Sequence, residues 1–395
     1  MTHRRAKTVY FVIEGGNSFA VVFYVYYLFF LLHSRYGFDA KSNLLAAALH
    51  GLTYFGVAWL GGRFAQRYGY FKALRFGFGG MALALLFGSA LPYMWAQMLV
   101  LASWTAAMSF TWPGLEALIC EGESPDRLSQ MVGRYNGVWA GTAAVAYFTG
   151  GALFERLGAR SIYWLPIGIH LLQLGTLAWL SRHVSSGHPA STASGEPPLH
   201  APDPAALPQP VSPKTFMRMA WFANPFAYIV INTVVAVMPQ LAAKFGLSPT
   251  ETGLFCSLWL FLRLAAFVLL WQWNGWHYRF RWLLGAFIGL IVSFATMLLA
   301  EKLWLVIASQ IFMGPAVGFL YYSSLFYSMD VGETKGEHGG FHESALGLGI
   351  FVGPAIGAAA LHFFPQWPHA GTWAASGLLL IGLAGLAAMR MKHRQ

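Results

Sequence analysis

The sequence predicts an all-α integral membrane protein of about twelve transmembrane helices arranged as two six-helix bundles. Three observations carry that expectation. First, 57% of the 395 residues are hydrophobic and only 10% are charged, against about 25% charged in a typical soluble domain. The mean hydropathy is +0.52. A chain so poor in charge cannot cover a water-facing surface, which excludes a soluble enzyme, a nucleic-acid-binding protein and a disulfide scaffold. Second, the apolar residues fall in runs of roughly 20 or more, enough to cross about 30 Å of hydrocarbon as helix. Third, those runs divide evenly about one polar stretch, Arg182–Pro213, which holds eight of the 19 prolines.

The first run spans 8–32. It follows a short basic start and continues too far, with Glu14 inside it, for a cleaved signal peptide, so it reads as a retained first span. Runs at 43–62, 73–91, 93–118, 134–155 and 161–180 complete an N-terminal bundle over 1–181. Proline and small polar residues build neither a membrane helix nor a core, so 182–213 is a linker. The second bundle, 214–395, holds runs at 215–242, 250–273, 282–300, 303–328, 342–364 and 370–390. Cys120 and Cys256 have no metal-type spacing and are too few for a disulfide framework; they read as small apolar residues. The net charge is +10, and its placement says more than its size. With the N-terminus inside, 18 of the 25 Lys and Arg fall on the cytoplasmic side and six outside, while Arg263 lies within a span. That bias places both termini and the linker in the cytoplasm, and the short loops suit a bacterial inner membrane.

Between spans two and three the chain reads Gly62-Arg63-Phe64-Ala65-Gln66-Arg67-Tyr68-Gly69-Tyr70-Phe71-Lys72-Ala73-Leu74. Together with the six-plus-six layout, this stretch resembles the best-known motif of the major facilitator superfamily of secondary transporters, Gly-x-Leu-x-Asp-Arg-x-Gly-Arg-Arg-x-x-Leu. Gly62, Arg67, Gly69 and Leu74 match, Gln66 stands at the acidic position, and Lys72 is a cation displaced by one place. In that family the acidic residue helps latch the two halves on the cytoplasmic side. The resemblance therefore implies an uncharged latch here, with Gly62, Gln66, Arg67, Gly69 and Lys72 as its gating motif. The equivalent loop of the second half, from Trp271 to Leu283, is basic and aromatic and barely matches. Pro113-x-x-x-Ala117-x-x-x-Glu121 leaving span four, followed by Arg127, is also similar to the family. Gly349-x-x-x-Gly353-Pro354-x-x-Gly357 resembles the Gly-Pro motif of its drug/proton antiporters but stands in span eleven rather than span five, so it assigns no antiport. The resemblance implies two rigid bundles rocking about a central site in alternating access, and a monomer.

A charge inside the bilayer is expensive and marks pathways. Arg263 sits midway along span eight among Leu262, Leu264, Ala265, Ala266 and Phe267, too deep to snorkel. It must face the bundle interior, where its planar, permanently charged fork receives an anionic group of the substrate or pairs with an acid such as Glu14 or Glu116. Glu14 lies about two turns inside span one, with Asn17 and Ser18 on the same side. A carboxyl facing a partly dry cavity can take and release protons through a cycle; the plainer reading is a structural carboxylate paired with Arg or capping a helix. Gly15-Gly16 beside it lets the helix unwind or a neighbour approach. His50, with Thr53 and Tyr54 a turn on, is a proton relay or, more simply, a hydrogen-bonded structural histidine. Asn136, Trp139 and Thr142 in span five, Asn224 and Asn232 in span seven, and Tyr321 and Tyr322 in span ten are candidates to line the cavity. Aromatics make up 16% of the chain. Most pack or face lipid, and aromatic walls beside few charges suit a partly apolar solute.

His338 and His342 have metal-type spacing, but Gly339-Gly340 lies between them. The Glu337, His338, His342, Glu343 group therefore reads as a helix cap or a loop contact. No Gly-Lys-Ser/Thr phosphate loop is present, so neither ATP hydrolysis nor any cofactor or metal is expected. The expected function is secondary active transport of a small organic solute, coupled to protons, without enzymatic activity or a nucleic-acid partner. The alternative is a non-transporting sensor or assembly factor on the same scaffold.

Overall fold

The computed structural model describes the backbone of residues 3–123, 125–183, 211–331 and 337–392, and their side chains except those of 3–4, 125–126, 128–129 and 337–342. The described residues form helices without a strand: α1 His3–Tyr36, α2 Ala40–Tyr68, α3 Tyr70–Ala90, α4 Met94–Met108, α5 Trp112–Cys120, α6 Pro125–Arg156 and α7 Ser161–His183, then α8 Pro213–Lys244, α9 Pro249–Cys256, α10 Leu258–Gln272, α11 Phe280–Leu298, α12 Leu303–Asp330, α13 Glu337–Phe363 and α14 Ala370–Lys392. Of these stretches, 10 are long and apolar enough to cross a membrane, α9–α10 counting as one. Adding α7 and taking α4–α5 as one interrupted span gives six crossings before residue 184 and six after residue 210, so both ends of the chain lie on one side, here called the terminal side. Most of the expected linker, residues 184–210, lies outside the described residues.

The outward faces are apolar because lipid, not water, covers them. Apart from Trp59, which lies within α2 under Arg63, the exposed tryptophans gather in two belts, Trp95, Trp164, Trp304, Trp367 and Trp373 opposite the termini and Trp179, Trp271, Trp273 and Trp282 on the terminal side. That is where an amphipathic ring gains most at a membrane–water boundary.

Two spans expected to be continuous are broken. The run over 93–118 stops at Met108, passes through Ser109–Thr111, and restarts as α5 with Pro113 in its first turn. Proline has no N–H and crowds the carbonyl four residues back, that of Ser109. The run over 250–273 breaks at Ser257, between α9 and α10. The Gln310 side chain of α12 enters this gap, its amide nitrogen donating to the Phe255 carbonyl at 2.7 Å and its oxygen accepting from the Trp259 amide at 3.2 Å. A side chain inserted into the helical ladder replaces the bonds the break removes.

The two halves meet along α2 and α6 of the first and α13, α9 and α10 of the second. Helix α13 lies between α2 and α8, where a Cβ added to Gly349 would fall 2.2 Å from the Pro225 carbonyl oxygen. On the side opposite the termini, a Cβ on Gly151 of α6 would fall 1.9 Å from the Pro249 carbonyl oxygen. Beside it, the Thr250 amide and hydroxyl both donate to the Glu155 carboxylate. Gln240 of α8 donates to the Phe38 carbonyl at 3.0 Å. These contacts close that side between the halves.

Candidate functional site

The centre of the molecule is organised around Arg263, and α12 holds its backbone in place. Added Cβ atoms on Gly314 and Gly318 would fall 3.1 Å from the Arg263 amide nitrogen and 3.3 Å from its carbonyl oxygen, so α10 and α12 approach to backbone contact at this residue. The side chain is 4% exposed. Its guanidinium carbon lies 4.4 Å from the Trp139 ring centre, 5.4 Å from Tyr321 and 5.5 Å from Phe267. Nη2 donates to the Tyr228 hydroxyl at a long 3.4 Å, and the buried Nε has no hydrogen-bond partner. Among the described residues no carboxylate forms an ion pair with it. The expected pairing with Glu14 or Glu116 is thus absent; aromatic faces hold the cation instead, Trp139 from the first half and the others from the second. Asn136 orients Trp139, accepting its indole N–H at 2.9 Å, while the Asn136 amide nitrogen is buried without a partner.

Glu14 is fully buried in α1. The Ser18 hydroxyl donates to Oε1 at 2.7 Å, and Oε2 has no hydrogen-bond partner. Helix α1 runs unbroken past Gly15 and Gly16, whose open faces admit Thr142 of α6 and Gln173 of α7; close approach, not unwinding, is their use. Asn17, equally buried, donates to the Thr111 hydroxyl at 3.3 Å in the break between α4 and α5. Glu116 and Glu343 stand near enough to act electrostatically on Glu14, and Tyr135 is within reach of all three.

Glu343 corrects the sequence reading. It is no loop or cap residue: it lies inside α13, where it accepts the Tyr54 hydroxyl of α2 and so bonds the two halves. The side chains of Glu337, His338 and His342 lie outside the described residues.

The remaining candidates separate. His50 bonds the Thr105 hydroxyl at 2.7 Å and packs near Trp104, both within the first half. Asn232 donates to the Tyr228 carbonyl one turn back at 3.0 Å. Asn224 is buried in α8. Tyr321 faces Arg263, whereas Tyr322 packs on Trp276 and Phe267. In the motif between spans two and three, Gly69 has φ 95° and joins α2 to α3, and Arg67 lies over the Tyr68 ring. Gly62 is buried, and Lys72 is exposed at the start of α3. Tyr228 and Tyr135 were not singled out in the sequence, and Tyr54 was named only as a neighbour of His50. Nothing in one sequence ties a particular tyrosine to its partner in so aromatic a chain.

Interrupted spans and a buried cation set between two halves are features of the architecture of membrane transporters. The Major Facilitator Superfamily model matches residues 8–229, more than half of the chain, and the chain belongs to that family. No curated protein matches its sequence. Solved structures share the fold. The nucleoside transporter NupG superposes with a TM-score of 0.73 at 12% identity, over 97% of this chain and 99% of that one. A peptide transporter bound to alafosfalin gives 0.75 at 14% identity, over 98% and 95%. The human organic anion transporter MFSD10 gives 0.67 at 16% identity, over 98% and 100%.

Proposed function

We propose that this protein is a proton-coupled secondary transporter that moves a small organic solute, anionic or zwitterionic with an apolar part, by alternating access. The carrying observation is Arg263: a buried guanidinium with no carboxylate partner among the described residues, walled by rings from both halves. A fixed cation in a dry site is neutralised by an anionic group of the solute, and the rings of Trp139, Tyr321 and Phe267 cover the solute's apolar part. Asn136 orients that wall, and Tyr228 stands beside the charge. Glu14 is the proton-linked carboxyl, with Asn17 next to it. The segment from Gly62 to Lys72, with Gln66 in place of an acid, gates the terminal side. The excess of Lys and Arg on that side supports cytoplasmic termini, and in our reading the chain works as a monomer in a bacterial inner membrane.

The test begins with thermal unfolding of the purified protein across carboxylates, peptides, nucleosides, sugars and lipophilic cations. A ligand at 100 times its dissociation constant stabilises by about 2.7 kcal/mol. Stabilisation by an anionic or zwitterionic class, lost in Arg263→Gln, and uptake of that compound into proteoliposomes driven by a pH gradient support the reading. Stabilisation that survives Arg263→Gln, or a hit confined to lipophilic cations, overturns the assigned site. A folded protein that binds nothing and carries no flux favours the sensor or assembly factor.

A further inference from the structure

The basic and aromatic loop between the eighth and ninth crossings has no part in the central site. It ends in a cleft on the terminal side. Tyr278, Arg279, Phe280 and Arg281 meet Leu284 of α11 and Ala387, Arg390 and Met391 of α14 around an open volume of about 640 Å³. Three guanidinium groups line it, that of Arg390 lying over the Phe216 and Phe280 rings, and among the described residues no carboxylate does. Asp330, which accepts the Tyr278 hydroxyl, is not among its walls.

The local backbone makes this concentration of charge costly. Arg279 is the N-cap of α11 and Arg281 follows within its first turn, which contains no acid. A helix N-terminus carries partial positive charge and favours anions, so two exposed cations there repel it. The loop is also strained, because Tyr278 has a φ of 53°, a left-handed conformation that disfavours a side chain. It is held there by the Tyr327 hydroxyl, which accepts the Tyr278 amide at 2.9 Å. Trp273 and Trp282, both exposed, belong to the aromatic belt at this level, so the cleft opens at the headgroup layer. Its cationic rim and its apolar wall of Leu284, Ala387 and Met391 match the two ends of one molecule.

We propose that the cleft binds an anionic phospholipid from the leaflet on the terminal side, with the phosphate among Arg279, Arg281 and Arg390 and an acyl chain along Leu284 and Met391. Delipidated protein is titrated with phosphatidylglycerol and, separately, with phosphatidylcholine of the same chains, and bound lipid is counted by native mass spectrometry. Wild type is expected to hold phosphatidylglycerol at least tenfold more tightly. Arg279→Gln with Arg281→Gln, both exposed and so tolerated by the fold, is expected to erase that preference. Leu284→Trp, which blocks the acyl wall, leaves every cation and adds no charge, is expected to weaken phosphatidylglycerol binding as well. Lys302→Gln on the opposite side is expected to change nothing. Equal binding of the two lipids by wild type, or a preference that survives the double substitution, overturns the proposal. Glycerol phosphate competing as strongly as the lipid also overturns it, by assigning the cleft to a soluble phosphate compound.

Discussion

Substitution of Gly151 by alanine tests whether the halves separate on the side opposite the termini. The added Cβ would start 1.9 Å from the Pro249 carbonyl oxygen, while real Cβ contacts stay beyond 3.0 Å, so α6 and α9 must part by about 1.1 Å. The obstacle is backbone and cannot rotate away. Overpacking of this kind costs about 1–3 kcal/mol, all of it in the closed arrangement. In an arrangement with that side open, alanine in mid-helix gains about 1 kcal/mol over glycine, so the protein still folds. A bias of 1–3 kcal/mol shifts a two-state equilibrium roughly 5- to 150-fold. Cys256 is a native reporter. It is 2% exposed on α9 and faces Tyr27 and Tyr147 of the first half across the seam. With Cys120 replaced by serine, a membrane-impermeant maleimide added from the side opposite the termini should label Cys256 faster in Gly151→Ala by that factor. An unchanged rate in protein with an unchanged unfolding midpoint would refute the reasoning, because the seam would then absorb a methyl group without opening.

Further outcomes follow from single contacts. Arg263→Gln removes a charge-assisted bond worth about 1.5–3 kcal/mol, so the dissociation constant for an anionic solute should rise roughly 10- to 150-fold in a binding titration; Arg263→Lys keeps the charge, loses the fork and should fall between. Glu14→Gln should abolish accumulation driven by a pH gradient while leaving counterflow exchange in proteoliposomes, and loss of both would reassign Glu14 to the fold. Gln310→Leu leaves the Phe255 carbonyl and the Trp259 amide without their partner in a dry core, at about 1–3 kcal/mol for each group, readable as a lower unfolding midpoint. Asp39 caps α2 by accepting the Ser42 amide at 2.8 Å. Burial raises its pKa, but the Ser42 bonds and Lys41 outweigh that and hold the carboxyl below its ordinary value. A lowered folded-state value gives stability that is complete above the ordinary carboxylate range and lost as pH falls from there through the lowered value. The unfolding midpoint of wild type relative to Asp39→Asn should therefore drop below about pH 4, and Asp39→Ala should cost about 1 kcal/mol at neutral pH.

Composition and spacing made the fold legible because a bilayer imposes a length on every apolar run. Arg263 was legible for the same reason, since ten residues of apolar helix on either side leave a guanidinium nowhere to go but inward. Its partners were not. Trp139 and Tyr321 stood among the cavity-lining candidates but nothing tied either to Arg263, and Tyr228 did not stand out at all, because packing between helices leaves no periodic mark in either one. The break at Ser257 was invisible for a related reason: its cause, Gln310, lies on another helix. The break before Pro113 had a local cause, but hydropathy does not register a missing N–H. Glu343 was misplaced because Gly339-Gly340 reads as loop, whereas α13 already runs from Glu337.

The two buried ionisable groups fit the proposed transport better than they fit a static core. Neither Arg263 nor Glu14 has a counter-ion among the described residues, and each retains a buried polar atom without a partner, Nε in one and Oε2 in the other. An ionised group kept dry and unpaired costs several kcal/mol, and a core selected only for stability would bring the two together or replace both. Rings soften the cost for the arginine, by about 2 kcal/mol or more for a desolvated cation–π contact. Under the proposed function, what remains is relieved by groups that come and go, an anion on Arg263 and a proton on Glu14. The same reasoning ties the two sites to each other. Occupation of either changes the charge of one dry interior, so each makes closure of the halves easier when filled, and a double substitution, Arg263→Gln with Glu14→Gln, should leave a folded, closed protein in which Cys256 labelling no longer responds to solute or to pH.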